Sequence, residues 1–316
     1  MAILQLVVFI LVCGILSLRL ESVTSRRIIG NETDRLSLFE FKSRMNDPNG
    51  ALGSWNDSIH FCNWAGVTCG HRHQRVISLH LRGKGLGGNI SPFIGNLSFL
   101  HVLDIANNSL HGGIPQEIGN LIRIQHLEFD NNTFQGELPT SMSNCTFLRM
   151  VGFSNNNLVG KIPVEFTSLS RLEIISMNSN GFRGDIPASF GNMSFLQVIS
   201  FSGNGLQGRI PNSLSQLTKL YWLSLSSNKL YGIENLVDLN LLSMEEKFLK
   251  GNIPSTVAKL SKLHENRLSG QIPSSIGNLT LLFDLSLEFN NFNLTIPSSL
   301  GNCQQLQFLA LEYNNL

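Results

Sequence analysis

The chain has 316 residues, of which 42% are hydrophobic and only 14% charged, and its formal net charge is +1. It is long and apolar enough to bury a large core. The balanced charge excludes the basic excess on which nucleic-acid binders rely.

The first predicted element is an apolar run from Ile3 to Leu18, followed by small residues at Ser22 to Ser25. It is somewhat short for a bilayer span, so residues 1–25 read as a secretory signal cleaved near there, although Arg19 follows the apolar run instead of preceding it. No later stretch approaches about 18 uninterrupted apolar residues.

Residues 26–74 form the second unit. Asp34 is placed to N-cap a helix that runs to about Met45 with Leu36, Phe39 and Phe41 inward, and Asp47-Pro48-Asn49-Gly50 stops it. Cysteine usage agrees with secretion: Cys13 leaves with the signal, and Cys62 and Cys69, with six residues between them, close a small disulfide loop. His71 and His73 lack the further ligands of a zinc site and read as a solvated polar edge.

From residue 75 to 316 the sequence repeats. Pro115, Pro139, Pro163, Pro187 and Pro211 are spaced by 24 residues, each preceded by Ile or Leu and, three residues earlier, by Gly. Asn108, Asn132, Asn156, Asn180, Asn204 and Asn228 keep the same period. The unit reads LxxLxxLxLxxNxLxGxIP, and one Pro and one Gly per period exclude a helical repeat. The LxL pair predicts a short strand with its apolar side chains inward, and successive coils join these strands into a parallel sheet. The Asn is expected to turn its amide inward onto backbone groups, with Gly and Pro shaping the return. The fold expected is an α/β repeat solenoid of about eleven units with a concave parallel sheet, its first coil covered by the N-terminal helix, Trp55, Trp64 and the cysteine loop. Cys145 and Cys303 share one repeat position, lie too far apart to pair, and read as small buried apolar residues.

The period fails after Asn228. The next column entries are Lys247, Asn266, Asn290 and Asn314, so two units around 232–266 are each five residues short. The first loses its IP turn but keeps a strand near Leu242 and Met244. The second has Leu260 and Leu263 followed directly by His264-Glu265-Asn266, so that its LxL strand is missing, which leaves neighbours unpaired or forces new residues to pair. The sequence ends at LALEYNNL, inside a unit and without a C-terminal cap, and so reads as a fragment, a truncated product or a mis-joined gene model.

The segments LHGGIPQEIGNL and LSGQIPSSIGNL, together with ETDRLSLFEFKSRMNDPNGALGSWNDSIHFCNWAGVTC, resemble the extracellular leucine-rich-repeat region of plant receptor-like kinases. The likeness covers about residues 32 to 316 and is nearest to the subfamily that includes bacterial-pattern-sensing immune receptors. It implies a plant-type leucine-rich-repeat superhelix with a disulfide-containing cap, a peptide ligand on the inner face, a co-receptor of similar architecture, and a membrane span and kinase that this sequence does not contain. The localisation implied is the secretory pathway and then the cell surface, or the extracellular space and cell wall if the product is soluble. A soluble secreted inhibitor or decoy, for example of pathogen wall-degrading enzymes, is the alternative.

No catalytic, metal or cofactor motif stands out. RGKGLGGN lacks the GK[ST] ending of a phosphate loop, and KLHENR lacks the second His of a zinc protease. Binding is therefore the expected function, on the side chains that flank the inward leucines of each strand. Those columns hold Asp104, His126, Glu128, Asp130, Arg149, Glu173, Tyr221, Trp222, Phe283, Asp284, Glu288 and Tyr313 as candidate ligand-binding residues. Arg82, Glu245, Glu246, Phe289, Phe308 and Glu312 lie in the same columns. The face leans acidic and carries its aromatics towards the C-terminal half, which suits a peptide or protein of basic character. Nine N-x-S/T sequons, at Asn31, Asn56, Asn96, Asn107, Asn131, Asn144, Asn192, Asn278 and Asn293, are candidate glycan sites. Several fall in the GNLS-like segment away from the strand.

Overall fold

The computed structural model describes residues 31–232, 242–243, 250–251, 260–261, 267–279, 282–293 and 295–316. The candidate signal over 1–25 lies outside them, as do Met244, Glu245, Glu246, Lys247, Leu263, His264, Glu265 and Asn266. No helix among the described residues is long and apolar enough to cross a membrane.

A helix occupies residues 31–43. Asp34 does not cap it from outside but lies within it, fully buried, and its carboxylate accepts from the Arg75 guanidinium (2.8 and 2.9 Å) and from the Val76 N–H (2.8 Å). The residue thus ties the helix to the first coil. Leu36, expected inside, is 52% exposed, while Leu38 and Phe41 are fully buried and Phe39 is half-buried. With Asp34 facing the first coil, the buried positions fall at 34, 37, 38 and 41, and Leu36 is rotated out. Trp55 and Trp64 stack at 5.4 Å, their indole N–H groups donating to Ala65 O and Asn56 O, and Cys62 and Cys69 are disulfide-bonded.

Each full coil contains three short pieces, as in Val102–Asp104, Ser109–Gly112 and the 3-10 helix Gln116–Asn120. The first pieces build the concave sheet, ten strands from Val67–Cys69 to Leu260–Ser261 in chain order and parallel after the first pair. The second pieces build another sheet, eight strands from Met45–Asn46 to Lys229–Tyr231, which the repeat pattern does not announce because its strands contribute at most one large inward apolar side chain each. The cap adds an antiparallel edge strand to each sheet and so covers both N-terminal edges.

The asparagine column performs the expected backbone satisfaction. Asn156 Nδ2 donates to Phe129 O, Phe153 O and Ser154 O, and its Oδ1 accepts from Phe134 N–H, which joins adjacent coils through one side chain. The residue just before each such Asn takes a left-handed conformation, with φ from 52° to 57° at Asn107, Asn131, Asn155, Ser179, Ser227, Phe289 and Tyr313. Leucines, isoleucines and phenylalanines from every coil fill one continuous core, with Phe129 against both Phe134 and Phe153. Cys145 and Cys303 are free and buried within it, their thiols directed at Ile118 O and Ile276 O.

At the shortened units the strand slots are refilled. Leu242–Ser243 pairs with Leu223–Ser224, as expected, and Leu260–Ser261 then pairs with Leu242–Ser243. The strand that the sequence seems to lack is thus supplied by residues displaced from an earlier column position, so new residues pair instead of leaving a gap. Both sheets are nonetheless interrupted among the described residues. Asp284–Ser286 pairs with Phe308–Ala310 in a separate two-stranded sheet, and Lys250–Gly251, Arg267–Gly270 and Asn291–Phe292 form a separate three-stranded one.

Candidate functional site

The concave strands project two outward columns each, and the register carries every candidate residue of the described stack onto one surface. At its N-terminal end, Arg82 donates from Nε to Asp104 Oδ2 (2.8 Å) and pairs through Nη2 with Glu128. Hydrogen bonding to Asp104, outweighing desolvation, holds the Arg82 guanidinium above its ordinary pKa. Asp104 is 8% exposed and Glu128 half-buried, with His126 half-buried beside it at the start of the same strand. One coil pair further on, Arg149 donates from Nε (2.9 Å) and Nη2 (2.6 Å) to Glu173 Oε1. Three of the acids that make the face look negative in sequence are therefore ion-paired, sharing two arginines.

Asp130 is a different case. Its Oδ1 accepts from Ser154 N–H (2.7 Å), and a Cβ on Gly152 would lie 2.1 Å from its Oδ2. The absent side chain at Gly152 makes room for this carboxylate. Burial pushes the Asp130 carboxyl above the ordinary carboxylate range, against the opposing pull of the Ser154 bond and of Arg82.

Between Asp130 and Trp222 the floor is made of small polar residues that sequence reading passed over. Ser154 and Ser176 share a hydrogen bond (2.7 Å), Ser200 donates to Asn178 Oδ1 (2.9 Å), and Ser202 and Ser224 share another (2.6 Å). With Gly152 they form a row of small polar side chains along successive concave strands. Reading the same columns for small residues, and not only for charges and rings, would have found it. Tyr221 (50% exposed) and Trp222 (38%) stand at its far end.

The remaining candidates lie beyond the interruption. Phe283 packs 5.7 Å from Phe308, Asp284 accepts from Ser286 Oγ (3.1 Å), Glu288 is half-buried, and Phe289 stacks on Tyr313 at 4.2 Å. The structure thus brings Asp104 to Trp222 onto one sheet, and Phe283 to Tyr313 onto a second, smaller one. Among the described residues, no group of three or more His, Cys, Asp and Glu is placed to hold a metal ion.

Of the sequons, Asn96, Asn144, Asn192 and Asn278 close 3-10 helices and are exposed, as are Asn56 and Asn293, and Asn31 is half-buried in the helix. Asn107 and Asn131 lie beside the concave strands, where Asn131 Nδ2 donates to Asn107 Oδ1 (2.6 Å) and Asn155 Nδ2 to Asn131 Oδ1 (2.7 Å).

Comparison with known proteins agrees with this architecture. The profile of the "Leucine rich repeat N-terminal domain" matches residues 31–70, and that of the "Leucine Rich Repeat" matches 99–121, 171–193 and 195–217. The chain is 52% identical over 104 residues to the LRR receptor-like serine/threonine-protein kinase EFR of Arabidopsis thaliana, which covers 32% of this chain and 10% of that protein. It spans about a tenth or less of the length of the curated relatives it matches first. Among solved structures, the Arabidopsis receptor kinase HAESA in complex with the peptide hormone IDA and the co-receptor SERK1 aligns at TM-score 0.78 and 30% identity, covering 89% of this chain and 49% of that one. The BIR2 ectodomain from Arabidopsis thaliana aligns at TM-score 0.51 and 37% identity, over 55% of this chain and 93% of that one. These matches fall in leucine-rich-repeat regions, a non-catalytic architecture. The chain belongs to the leucine-rich-repeat family and is homologous to the ectodomains of plant leucine-rich-repeat receptor kinases.

Proposed function

We propose that this chain is the ligand-recognition part of a plant surface receptor in defence or developmental signalling, and that it binds an extended peptide along the concave sheet. The observation that carries the reading is the row of small polar side chains from Gly152 to Ser224, flanked by the Arg149–Glu173 pair and by Tyr221 and Trp222. An extended chain has a backbone amide and carbonyl at every residue, and the polar row offers hydroxyl and amide partners at every coil. The exposed rings of Tyr221 and Trp222 give an apolar side chain a surface to cover, the kind of anchor that dominates binding energy. Glu128 and the outer edge of Asp130 favour a basic residue at the other end, and pairing with Arg82 tempers that preference. Asp284, Glu288, Phe283 and Tyr313 extend the surface beyond the interruption.

On this reading residues 1–25 direct the chain into the secretory pathway, residues 26–74 cap the array, 75–316 carry the repeats, and the exposed sequons away from the concave strands bear glycans that leave the polar row open. A co-receptor of similar architecture would complete signalling, as the SERK1 co-receptor accompanies HAESA and IDA in the solved complex.

The test is selection of a displayed random peptide library on the full chain, followed by measurement of the enriched peptides against a Tyr221→Ala, Trp222→Ala variant. Affinity is expected to fall at least tenfold. Equal binding to both proteins would remove this part of the concave face from consideration.

A further inference from the structure

One position of the 24-residue unit alternates strictly through seven consecutive coils: Arg75, Phe99, Arg123, Phe147, Arg171, Phe195, Lys219. It lies in the turn between each 3-10 helix and the next concave strand, on the flank of the solenoid. The structure stacks these side chains. The guanidinium carbons of Arg75 and Arg123 lie 4.5 and 4.1 Å from the Phe99 ring centroid, that of Arg171 lies 4.5 Å from Phe147, and Lys219 Nζ lies 4.0 Å from Phe195.

Shielding of exposed rings by cations does not by itself account for the pattern, because a polar residue at the same turn would need no shield. Arg75 is held by Asp34, and Phe99 between two cations is half-buried. Further along, the ladder is open. Phe147 and Phe195 remain 44% and 45% exposed, and Arg123, Arg171 and Lys219 are exposed and form no salt bridge among the described residues. Between the two open rings is a cleft of about 540 Å³, lined by Phe147, Arg171 and Phe195 together with Gln125, Arg149 and Glu173 from the edge of the concave sheet.

We infer that this flank is a second binding strip, adjoining the concave polar row at the Arg149–Glu173 pair, and that it takes an acidic, proline-rich peptide segment in polyproline II conformation. Spacing selects the conformation. Coils follow one another at about 4.8 Å, so cations at alternate coils stand about 10 Å apart. A polyproline II chain repeats every three residues, or about 9.3 Å, whereas an extended strand returns a side chain to one face every ~6.8 Å. A carboxylate at every third residue would meet Arg123, Arg171 and Lys219 in turn, and the intervening proline rings would lie on Phe147 and Phe195. Aromatic ridges that receive proline rings are the general device for reading this conformation. The strip's sign is opposite to that of the concave acids, so the two surfaces sort ligands by charge, and neither reading depends on the other.

The experiment uses the full chain and a synthetic Glu-Pro-Pro repeat peptide, with Lys-Pro-Pro and Glu-Gly-Gly repeats and polygalacturonate as comparators. The protein is taken both as secreted and with Asn144→Gln and Asn192→Gln, since glycans at these sequons would sit three residues from the open rings. Glu-Pro-Pro is expected to bind saturably, more weakly as salt rises, and at least tenfold more tightly than Lys-Pro-Pro. Arg171→Glu with Lys219→Glu should reduce that affinity tenfold or more, and Phe147→Ala with Phe195→Ala should remove the preference for Glu-Pro-Pro over Glu-Gly-Gly. Thermal unfolding of each variant separates these losses from misfolding. The inference is overturned if neither form of the protein binds Glu-Pro-Pro, if the charge-reversed variant binds it as wild type does, or if polygalacturonate is preferred. That last result would assign the strip to an acidic polysaccharide. Loss of the strip would leave the Tyr221 and Trp222 result untouched.

Discussion

The stack from Val76 to Tyr231 and the block from Arg267 to Leu316 are built from the same devices and differ in continuity. In the stack, each coil's strands are paired on both sides up to Lys229–Tyr231, which ends the second sheet, and each column asparagine bonds to its own coil and the one before. The block repeats that chemistry, as Asn314 shows by donating to Leu287 O and Leu311 O and accepting from Phe292 N–H, but among the described residues its sheets hold only two and three strands. In a solenoid, stability is the sum of coil terms and nearest-neighbour interface terms. The block has the coil terms and fewer interfaces, and is therefore expected to open first.

Thiol labelling gives the largest contrast. Cys145 lies inside the stack, where burial pushes its thiol up to about 12, and Cys303 lies in the block, its thiol also raised by burial. Both react only after local opening, so their labelling rates report the two regions separately. In native buffer with peptide mapping, Cys303 should label by iodoacetamide at least tenfold faster than Cys145. Equal rates would mean that the block and stack open as one unit.

Replacement of the column asparagine comes next. Asn156→Ala removes four hydrogen bonds at a site 7% exposed and leaves backbone groups of two coils unsatisfied, a loss of about 3–5 kcal/mol in urea unfolding. Asn314→Ala, half-buried at the end of the array, should cost about 1 kcal/mol. Similar losses at the two sites would contradict the division.

Glycine substitution sharpens the contrast with smaller effects. A Cβ on Gly191 would stand 2.3 Å from Ser213 O of the next coil, and one on Gly277 2.3 Å from Ser299 O, whereas a Cβ on Gly301 meets nothing within 4 Å. Gly191→Ala should therefore force coils apart at a cost of about 2 kcal/mol. Gly301→Ala should change stability by less than about 0.5 kcal/mol, measured by the shift in unfolding midpoint.

These pairs also mark what could be read from sequence. The proline and asparagine columns gave period, sheet and inward asparagine, because each depends on one residue type at a fixed offset. The second sheet was not legible: Ser109–Gly112 has one inward leucine, too short an alternation to register as a strand. The helix facing was mistaken at Leu36 because Asp34, taken as a cap, instead reaches Arg75 and Val76, a contact across 41 and 42 residues that no local pattern encodes. Asp104, Glu128 and Glu173 lie along one sheet, but their pairing with Arg82 and Arg149 runs between coils at separations of 22, 46 and 24 residues, which no local pattern encodes. Which residues replace the missing strand was not legible for a similar reason, since Leu260–Ser261 fills the slot out of its own column.

Asp130 offers the smallest and most specific test of the stack. Burial raises its folded pKa above the unfolded value, so the folded state holds the proton more tightly. Its contribution to stability is then fully present below the unfolded carboxylate pKa and is lost as pH rises through the folded one. Asp130→Asn keeps an oxygen for Ser154 N–H and fits beside Gly152, but does not titrate in that window. Urea unfolding at a series of acidic pH values should therefore show wild type losing stability relative to the variant as pH rises from the ordinary carboxylate pKa to the raised one. Parallel curves would place the Asp130 carboxylate in water, and with it would go the reading of Gly152 as the gap that seats this side chain.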